Sequence, residues 1–265
     1  RELQPSTVPQ GTAGAPLLTL SRVSTAQRGS GARLSDLSLT LHAGEITGLA
    51  GVSGNGQAAL ASVIAGTLVP SAGSIEVGGA AMRDWSPSAA LAAGIGRIPE
   101  DRHAVGTIGD MSVTENVIAE RYRTPGFSRR GFLDWAAARR FAEKIIGAYD
   151  VKCPSPEARI RLLSGGNMQK LILGRVLEFA PKVVLANQPT RGLDVGAVAY
   201  VHAQLVAARD RGAAVLLISE DLEEVLALSD RILVMSSGRL SAPSLRGERT
   251  VAEIGELMAG HGEAA

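Results

Sequence analysis

Leu37, Leu39 and Leu41 alternate with Ser38 and Thr40, so this segment predicts a strand with one buried and one wet face. A turn at His42-Ala43-Gly44 leads into a second predicted strand, Glu45 to Ala50, expected to pair antiparallel with the first. A glycine-rich stretch at 51–56 breaks the apolar pattern. Ala58 to Ala65 then carries no breaker and predicts a helix, and Ser74 to Val77 reads as the next strand. The result is a strand, glycine loop and helix in succession. Upstream, residues 1–16 are rich in Pro, Gly, Ser and Thr without apolar periodicity and read as a linker or tail, the core beginning near Leu17.

The texture changes between about 100 and 162. Ser112 with Glu115 makes a capping box, and Asp134 can cap a helix with apolar positions at Ala138, Phe141, Ala142, Ile145 and Tyr149. This stretch reads as a helical insertion. From Gly165 the chain alternates: helix to Phe179, strand Lys182 to Ala186, helix Gly196 to Arg209, strand Ala214 to Ser219, helix Leu222 to Leu228, strand Arg231 to Met235. Such alternation predicts an α/β fold with a largely parallel sheet covered by helices. A short helix, Val251 to Met258, precedes a loose tail.

Composition narrows the function classes. The chain has 265 residues, with 27 Lys and Arg against 26 Asp and Glu, a formal net charge of +1. That balance gives no dispersed basic footprint for nucleic acid or an anionic membrane surface. No apolar run approaches the roughly 18 residues of a spanning helix. The single cysteine, Cys153, cannot form an internal disulfide and suits a reducing compartment. The chain begins at Arg1 with no signal pattern and reads as a piece of a longer protein. His42, His103, His202 and His261 share no ligand spacing, so no metal is assigned to them.

The predicted strand at 45–50 runs into Gly51-Val52-Ser53-Gly54-Asn55-Gly56-Gln57-Ala58, which has the glycine spacing of a phosphate-binding loop. Backbone N–H groups at a helix N-terminus can cradle a phosphate there. Gln57, however, brings no charge and Ala58 no hydroxyl for Mg²⁺. The same residues admit a dinucleotide fingerprint, Gly54-x-Gly56-x-x-Ala59, with Glu76 as ribose partner. A plain tight turn is the third reading.

Leu163-Ser164-Gly165-Gly166-Asn167-Met168-Gln169-Lys170 opens a helix with a hydroxyl and two glycines at its N-terminal end, a potential anion site, although Ser164 could serve simply as an N-cap. This segment resembles the LSGGQ signature of ATP-binding cassette (ABC) ATPases. The resemblance runs from about Leu17 to Leu240 and makes Gly51 to Ala58 the Walker A loop, Val183 to Pro189 the end of Walker B, Leu193-Asp194 the D-loop and Ser219-Glu220-Asp221 the switch. Pro189 to Ala197 (PTRGLDVGA) and Pro99 to Arg102 (PEDR) look most like the second cassette of tandem ATPases of sugar and nucleoside importers, and RELQ at the start resembles the exit of a preceding cassette.

What the resemblance implies is an ABC-type P-loop fold with a core at 17–104 and 179–240, an antiparallel β portion, an inserted helical subdomain at 105–178 carrying the signature, and a C-terminal helix and tail at 241–265. Walker B in the family ends in Asp and Glu, where this chain has Asn187 and Gln188; the switch His is Glu220 and the Q-loop Gln is Glu100. The adenine-stacking aromatic expected around Val23 to Arg28 is missing. Phosphoryl transfer needs a Lys, Mg²⁺ and a water-orienting group, so the chain's own ATP site is expected to be degenerate and its Mg²⁺ dependence doubtful. Ser164, Gly165 and Gly166, with Asp194, are expected instead to complete an ATP site on a preceding cassette.

The implied partners are that cassette, membrane-spanning permease subunits and ATP or ADP, at the cytoplasmic side of the membrane, with no nucleic acid. Arg121, Arg123, Arg129 and Arg130 make the region facing the permease locally basic, unless they are simply solvated; Met111 and Val113 read as either core or coupling surface. Trp85, before Ser86-Pro87, reads as a staple or packing residue. The rival functions are a pseudo-ATPase that only dimerises or scaffolds, and a dinucleotide-binding Rossmann enzyme.

Overall fold

The computed structural model describes residues 8–26 and 31–260. Two compact units emerge, one made of Arg1–Arg97, Ala180–Gln188 and Leu205–Ala265, the other of Ile98–Phe179 and Pro189–Gln204.

The first unit holds two sheets. In the antiparallel one, β1 (Pro16–Ser24) lies between β2 (Leu37–His42) and β4 (Ala72–Val77), and the two-residue β5 (Ala80–Ala81) closes the edge. The other sheet is built on β3 (Ile46–Ala50), which lies parallel between β10 (Ala214–Ile218) and β11 (Arg231–Ser236); β9 (Val183–Asn187) is parallel to β10, and β6 (Ile95–Ile98) follows. The expected antiparallel pairing of β2 with β3 is therefore wrong. The burial patterns give the reason: β2 alternates as a one-sided strand should, whereas all five residues of β3 are buried and need a sheet covered on both faces. Likewise β4, which follows the helix after β3, pairs antiparallel with β1. A dinucleotide-binding unit would need that strand parallel to β3, so the Rossmann alternative fails on topology.

Helix α1 (Gln57–Ile64) places Leu60, Val63 and Ile64 in a core shared with Leu18, Leu20, Leu39 and Leu41 of the antiparallel sheet and Val183 and Leu216 of the parallel one. Trp85 is buried against the same core, its indole N–H donating to the Val63 carbonyl at 2.5 Å, just ahead of α2 (Pro87–Ala93), which Ser86 caps and Pro87 starts. A smaller cluster packs Val225 of α7 (Leu222–Leu228) and Ile254 of α8 (Val251–Met258) against β3 and β11. Two short strands, β12 (Arg239–Leu240) and β13 (Ser244–Leu245), pair with β11.

In the second unit the capping box of Ser112 and Glu115 starts α3 (Val113–Ile118), and Asp134 caps α4 (Trp135–Ala148) after a short hairpin of β7 (Ser128–Arg129) and β8 (Phe132–Leu133). Phe127, Phe141 and Phe179 stack with centroids 5.2 to 6.3 Å apart, and Arg121 lies over the Phe179 ring. On α5 (Gly165–Leu177) a Cβ at Gly174 would stand 2.5 Å from Ile145, so this glycine lets α4 and α5 close on each other. Asn116 is buried and takes the Ile108 N–H while donating to the carbonyls of Ile108, Met111 and Ser112, which fixes the preceding loop. Helix α6 (Val195–Asp210) contributes residues to both units.

Residues 8–15, expected from composition to be linker, are irregular but fastened to the first unit. Asp230, 2% exposed, accepts the N–H groups of Gly11 and Ile46 and pairs with Arg209 and Arg246, whose guanidinium groups also hold the carbonyls of Pro9 and Val8. Composition does not reveal this because the anchors are backbone atoms. Removing one partner of a buried ion pair strands the other charges, so Asp230→Ala should lower unfolding stability by about 3–5 kcal/mol. Urea denaturation at neutral pH measures it; a loss under about 1 kcal/mol would mean that water or another side chain replaces the carboxylate.

Candidate functional site

Parallel register brings the carboxyl ends of three strands side by side, Ile218 pairing with both Asn187 and Leu49. Gly51, Gln188 and Ser219 thus leave the sheet at one edge, where open α/β sheets bind ligands. Gly54 at φ +88° and Gly56 at φ +120° turn the chain from β3 into α1, conformations that a side chain disfavours. Gly56 is the N-cap, without a side-chain cap. Asn55, expected in the phosphate loop, works as a clamp: its side-chain oxygen takes the Ser237 N–H and its carbonyl the Gly238 N–H.

Gln57 decides what this loop can bind. Its amide folds across the loop and donates to the Val52 carbonyl at 3.0 Å, while its Oε1 is buried with no hydrogen-bond partner. A Cβ on Gly51 would stand 2.6 Å from Gln57 Nε2. The loop therefore encloses a neutral amide whose spare group is an acceptor, and Ala58 adds no hydroxyl. This set fits a magnesium-bound triphosphate poorly, because it lacks both the cation and the metal ligand. A cavity of about 410 Å³ adjoins the loop, lined by Thr25, Ala26, Arg33, Gly54, Ala59 and Leu68 among others. No aromatic side chain is among its described lining residues; positions 27 and 28 of the expected stacking segment lie outside the described residues.

At the neighbouring strand ends, Asn187 closes β9 half-buried, and Gln188 follows at φ +48°. The Gln188 N–H donates to the Ile218 carbonyl, and its side-chain oxygen accepts the Glu220 N–H at 3.3 Å. Gln188 and Glu220 are thus neighbours in space. Asp221, not Glu220, caps α7, accepting the N–H groups of Glu223 and Glu224, and the Glu220 side chain is exposed. Ser53 completes the loop at its exposed outer turn.

The second unit contains the other predicted segments. Ser164 caps α5 by accepting from Asn167, so the capping role assigned to it is real. The N–H groups of Gly165 and Gly166 have no acceptor among the described residues, as the first turn of a helix requires, and Ser164 itself is exposed. Serine hydroxyl, open N–H groups and helix dipole together can receive an oxyanion. Gln169, buried in the same helix, donates to the Pro189 carbonyl at 2.7 Å and so fixes the start of the segment that carries Asp194. Asp194 caps α6 through the Ala197 N–H and remains exposed.

Glu100 pairs with Arg191, and Arg102 donates to the Arg191 carbonyl. Burial pulls the Arg102 guanidinium below the usual arginine range. A turn of π-helical type, Arg102–Gly106, follows, with Asp101 accepting the N–H groups of His103 and Ala104, which holds the Asp101 carboxyl below its ordinary value. Arg102, Arg191 and Gln169 were not singled out from the sequence as functional. The signal was present in PEDR and PTRGLDVGA, but residues 89 positions apart show no relation until the chain folds.

Comparison with known proteins agrees with this architecture. A protein-family model described as "ABC transporter" matches residues 34–191. The guanosine import ATP-binding protein NupO of Bacillus subtilis is 44% identical over 225 residues, covering 85% of this chain and 44% of its own length. The glucose import ATP-binding protein TsgD13 of Haloferax volcanii is 41% identical over 254 residues, covering 95% of this chain and 46% of its own. The chain thus spans less than half the length of these relatives. Among solved structures, the dimeric ATP-binding cassette MJ0796 bound to ADP and Pi superposes with a TM-score of 0.73 at 20% identity, over 88% of this chain and all of that one, which bears on the fold alone. Sheet topology, glycine loop and family match agree, and the chain belongs to the ABC transporter family with the fold of its ATP-binding cassette.

Proposed function

We propose that this chain is the second of two linked cassettes in the ATPase of a nucleoside or sugar importer, and that it completes the ATP site of its partner cassette while its own site is degenerate. The observation that carries the reading is a contrast: the start of α5 keeps its hydroxyl and open N–H groups, whereas the loop after β3 is filled by the neutral Gln57 amide. The import ATP-binding relatives are each more than twice the matched length, which leaves room for a second cassette. In this reading 17–104 and 179–240 are the P-loop core, 105–178 the helical subdomain, and residues 1–16 the connection.

ATP on the partner cassette would supply the phosphoryl group transferred to water. Ser164, Gly165 and Gly166 bind and orient its terminal phosphate through one hydroxyl and two N–H donors, and Asp194 lies along the same seam. In the chain's own site the amides at Asn187 and Gln188 replace the carboxylates that organise Mg²⁺ and water, and Glu220 adds negative charge where phosphate oxygens would lie. No helix among the described residues is long and apolar enough to cross a membrane. In this reading, which the names of the import ATP-binding relatives support, the cassette works on a solute through permease subunits and is peripheral on the cytoplasmic face. Val105, Ile108 and Met111, 39 to 53% exposed and close together in the chain, are the proposed docking surface, while Val113 is fully buried.

Three outcomes test the reading on the whole two-cassette protein. Gly165→Asp should reduce steady-state ATP turnover at least about 100-fold without loss of folded protein, since a carboxylate there opposes the phosphate; unchanged turnover would replace this reading with a scaffold role. Gln57→Lys alone should create no second hydrolysing site, because charge at one position leaves the Asn187, Gln188 and Glu220 defects in place; single-turnover hydrolysis with the partner site inactivated is the check. In reconstituted vesicles with the permease, Met111→Asp should abolish solute uptake while melting temperature stays within about 2 °C of wild type.

A further inference from the structure

Arg102 is 9% exposed, and its guanidinium is only partly satisfied: Nη2 donates to the Arg191 carbonyl, while Nε is buried without an acceptor. Its Nη1 stands 3.5 Å from the point where a Cβ on Gly165 would lie, at the first turn of α5. The carboxylates nearest in sequence are engaged elsewhere, Glu100 by Arg191 and Asp101 by the N–H groups of His103 and Ala104. Among the described residues no carboxylate forms an ion pair with Arg102.

This placement is electrostatically unfavourable as it stands. A helix N-terminus carries the positive end of the dipole, and here a buried cation without an ion-pair partner is set against it, beside Gly165 in the first turn. Nothing in packing calls for a charge at this position, because the single bond to the Arg191 carbonyl needs only a donor. One negatively charged ligand would resolve both positive features at once.

We propose that Arg102 and the first turn of α5 form a single oxyanion site, in which Arg102 supplies the charge and Ser164 Oγ with the N–H groups of Gly165 and Gly166 supply directional contacts to the terminal phosphate of a nucleotide held by the partner cassette. This rests on the reading of α5 given under Proposed function. Arg102 also fastens the Arg191 carbonyl, and a Cβ on Gly192 would lie 3.8 Å from its Nη2, so the same guanidinium sets the segment leading to Asp194.

The test compares Arg102→Lys and Arg102→Gln in the whole two-cassette protein. Both keep a donor for the Arg191 carbonyl, and only lysine keeps the charge. The glutamine variant should lower kcat about tenfold or more with KM for ATP little changed, and the lysine variant should stay within about threefold of wild type. A readout without turnover accompanies this: melting temperature in nucleotide-free buffer, with and without inorganic phosphate at matched ionic strength. Relief of an unpaired charge predicts that Arg102→Gln melts at or above wild type without phosphate and lacks the phosphate-induced rise that wild type and Arg102→Lys show. Equal turnover in the two variants, or a glutamine variant that melts several degrees lower and responds to phosphate like wild type, would overturn the proposal. If Gly165→Asp stops turnover while the two Arg102 variants behave alike, the Arg102 site alone falls; if Gly165→Asp leaves turnover intact, the signature reading falls and takes the site with it.

Discussion

The first unit depends on one constraint, that β3 has no solvent-facing side. All five of its residues are buried, and at Gly48 a Cβ would stand 2.0 Å from Ser229 Oγ, so the strand tolerates nothing larger there. At the amino end Ile46 N–H is taken by Asp230, and Glu45 pairs with Arg231. At the carboxyl end the chain must turn at once, which Gly54 and Gly56 permit. The charge cage that fixes the amino end also holds residues 8–15, so one buried carboxylate ties the entry of the chain, the strand and the ends of α6 and β11 together.

The chemistry is distributed unevenly between the two units. Around the loop after β3 the candidate positions Gln57, Asn187 and Gln188 hold amides, and two of them serve as internal hydrogen-bonding groups. Gln57 holds Val52 and Gln188 holds Glu220. An unsatisfied buried oxygen such as Gln57 Oε1 costs about 1–3 kcal/mol. In the second unit the corresponding positions hold formal charges and open donors. Glu100 with Arg191 is an exposed pair, a class worth only about 0–1 kcal/mol, so its effect is to set where Arg191 sits more than to stabilise the fold.

Asn116, Gln169 and Arg102 share a way of acting. Each is a buried polar side chain that donates to backbone carbonyls, Asn116 in the loop just before its own helix and Gln169 and Arg102 in the segment at Pro189 and Arg191, and each fixes a loop that no hydrophobic pattern could position. Arg102 differs in carrying a charge with no ion-pair partner among the described residues.

Much of the fold was legible in the residues themselves. Periodicity located α4 to α8 and the strands β9 to β11 because their burial is regular, and the capping residues Ser112 and Asp134 marked helix starts because orphan N–H groups there need side-chain acceptors. The glycine loop and the serine-glycine start of α5 were equally visible, since those conformations and donors belong to residue type. Strand partners were not: β2 and β3 are adjacent in sequence yet lie in different sheets, because pairing follows which faces are buried, and that is known only once the sheets are covered. Nor could local sequence place the Gln57 amide across its own loop, bring Glu100 to Arg191, or leave Arg102 unpaired beside Gly165. The sequence by itself determined which segments are helix, strand and glycine turn, through short-range sterics and periodicity. Tertiary structure alone decided which charges are neutralised, because an ion pair depends on distance in space between residues that the chain keeps far apart.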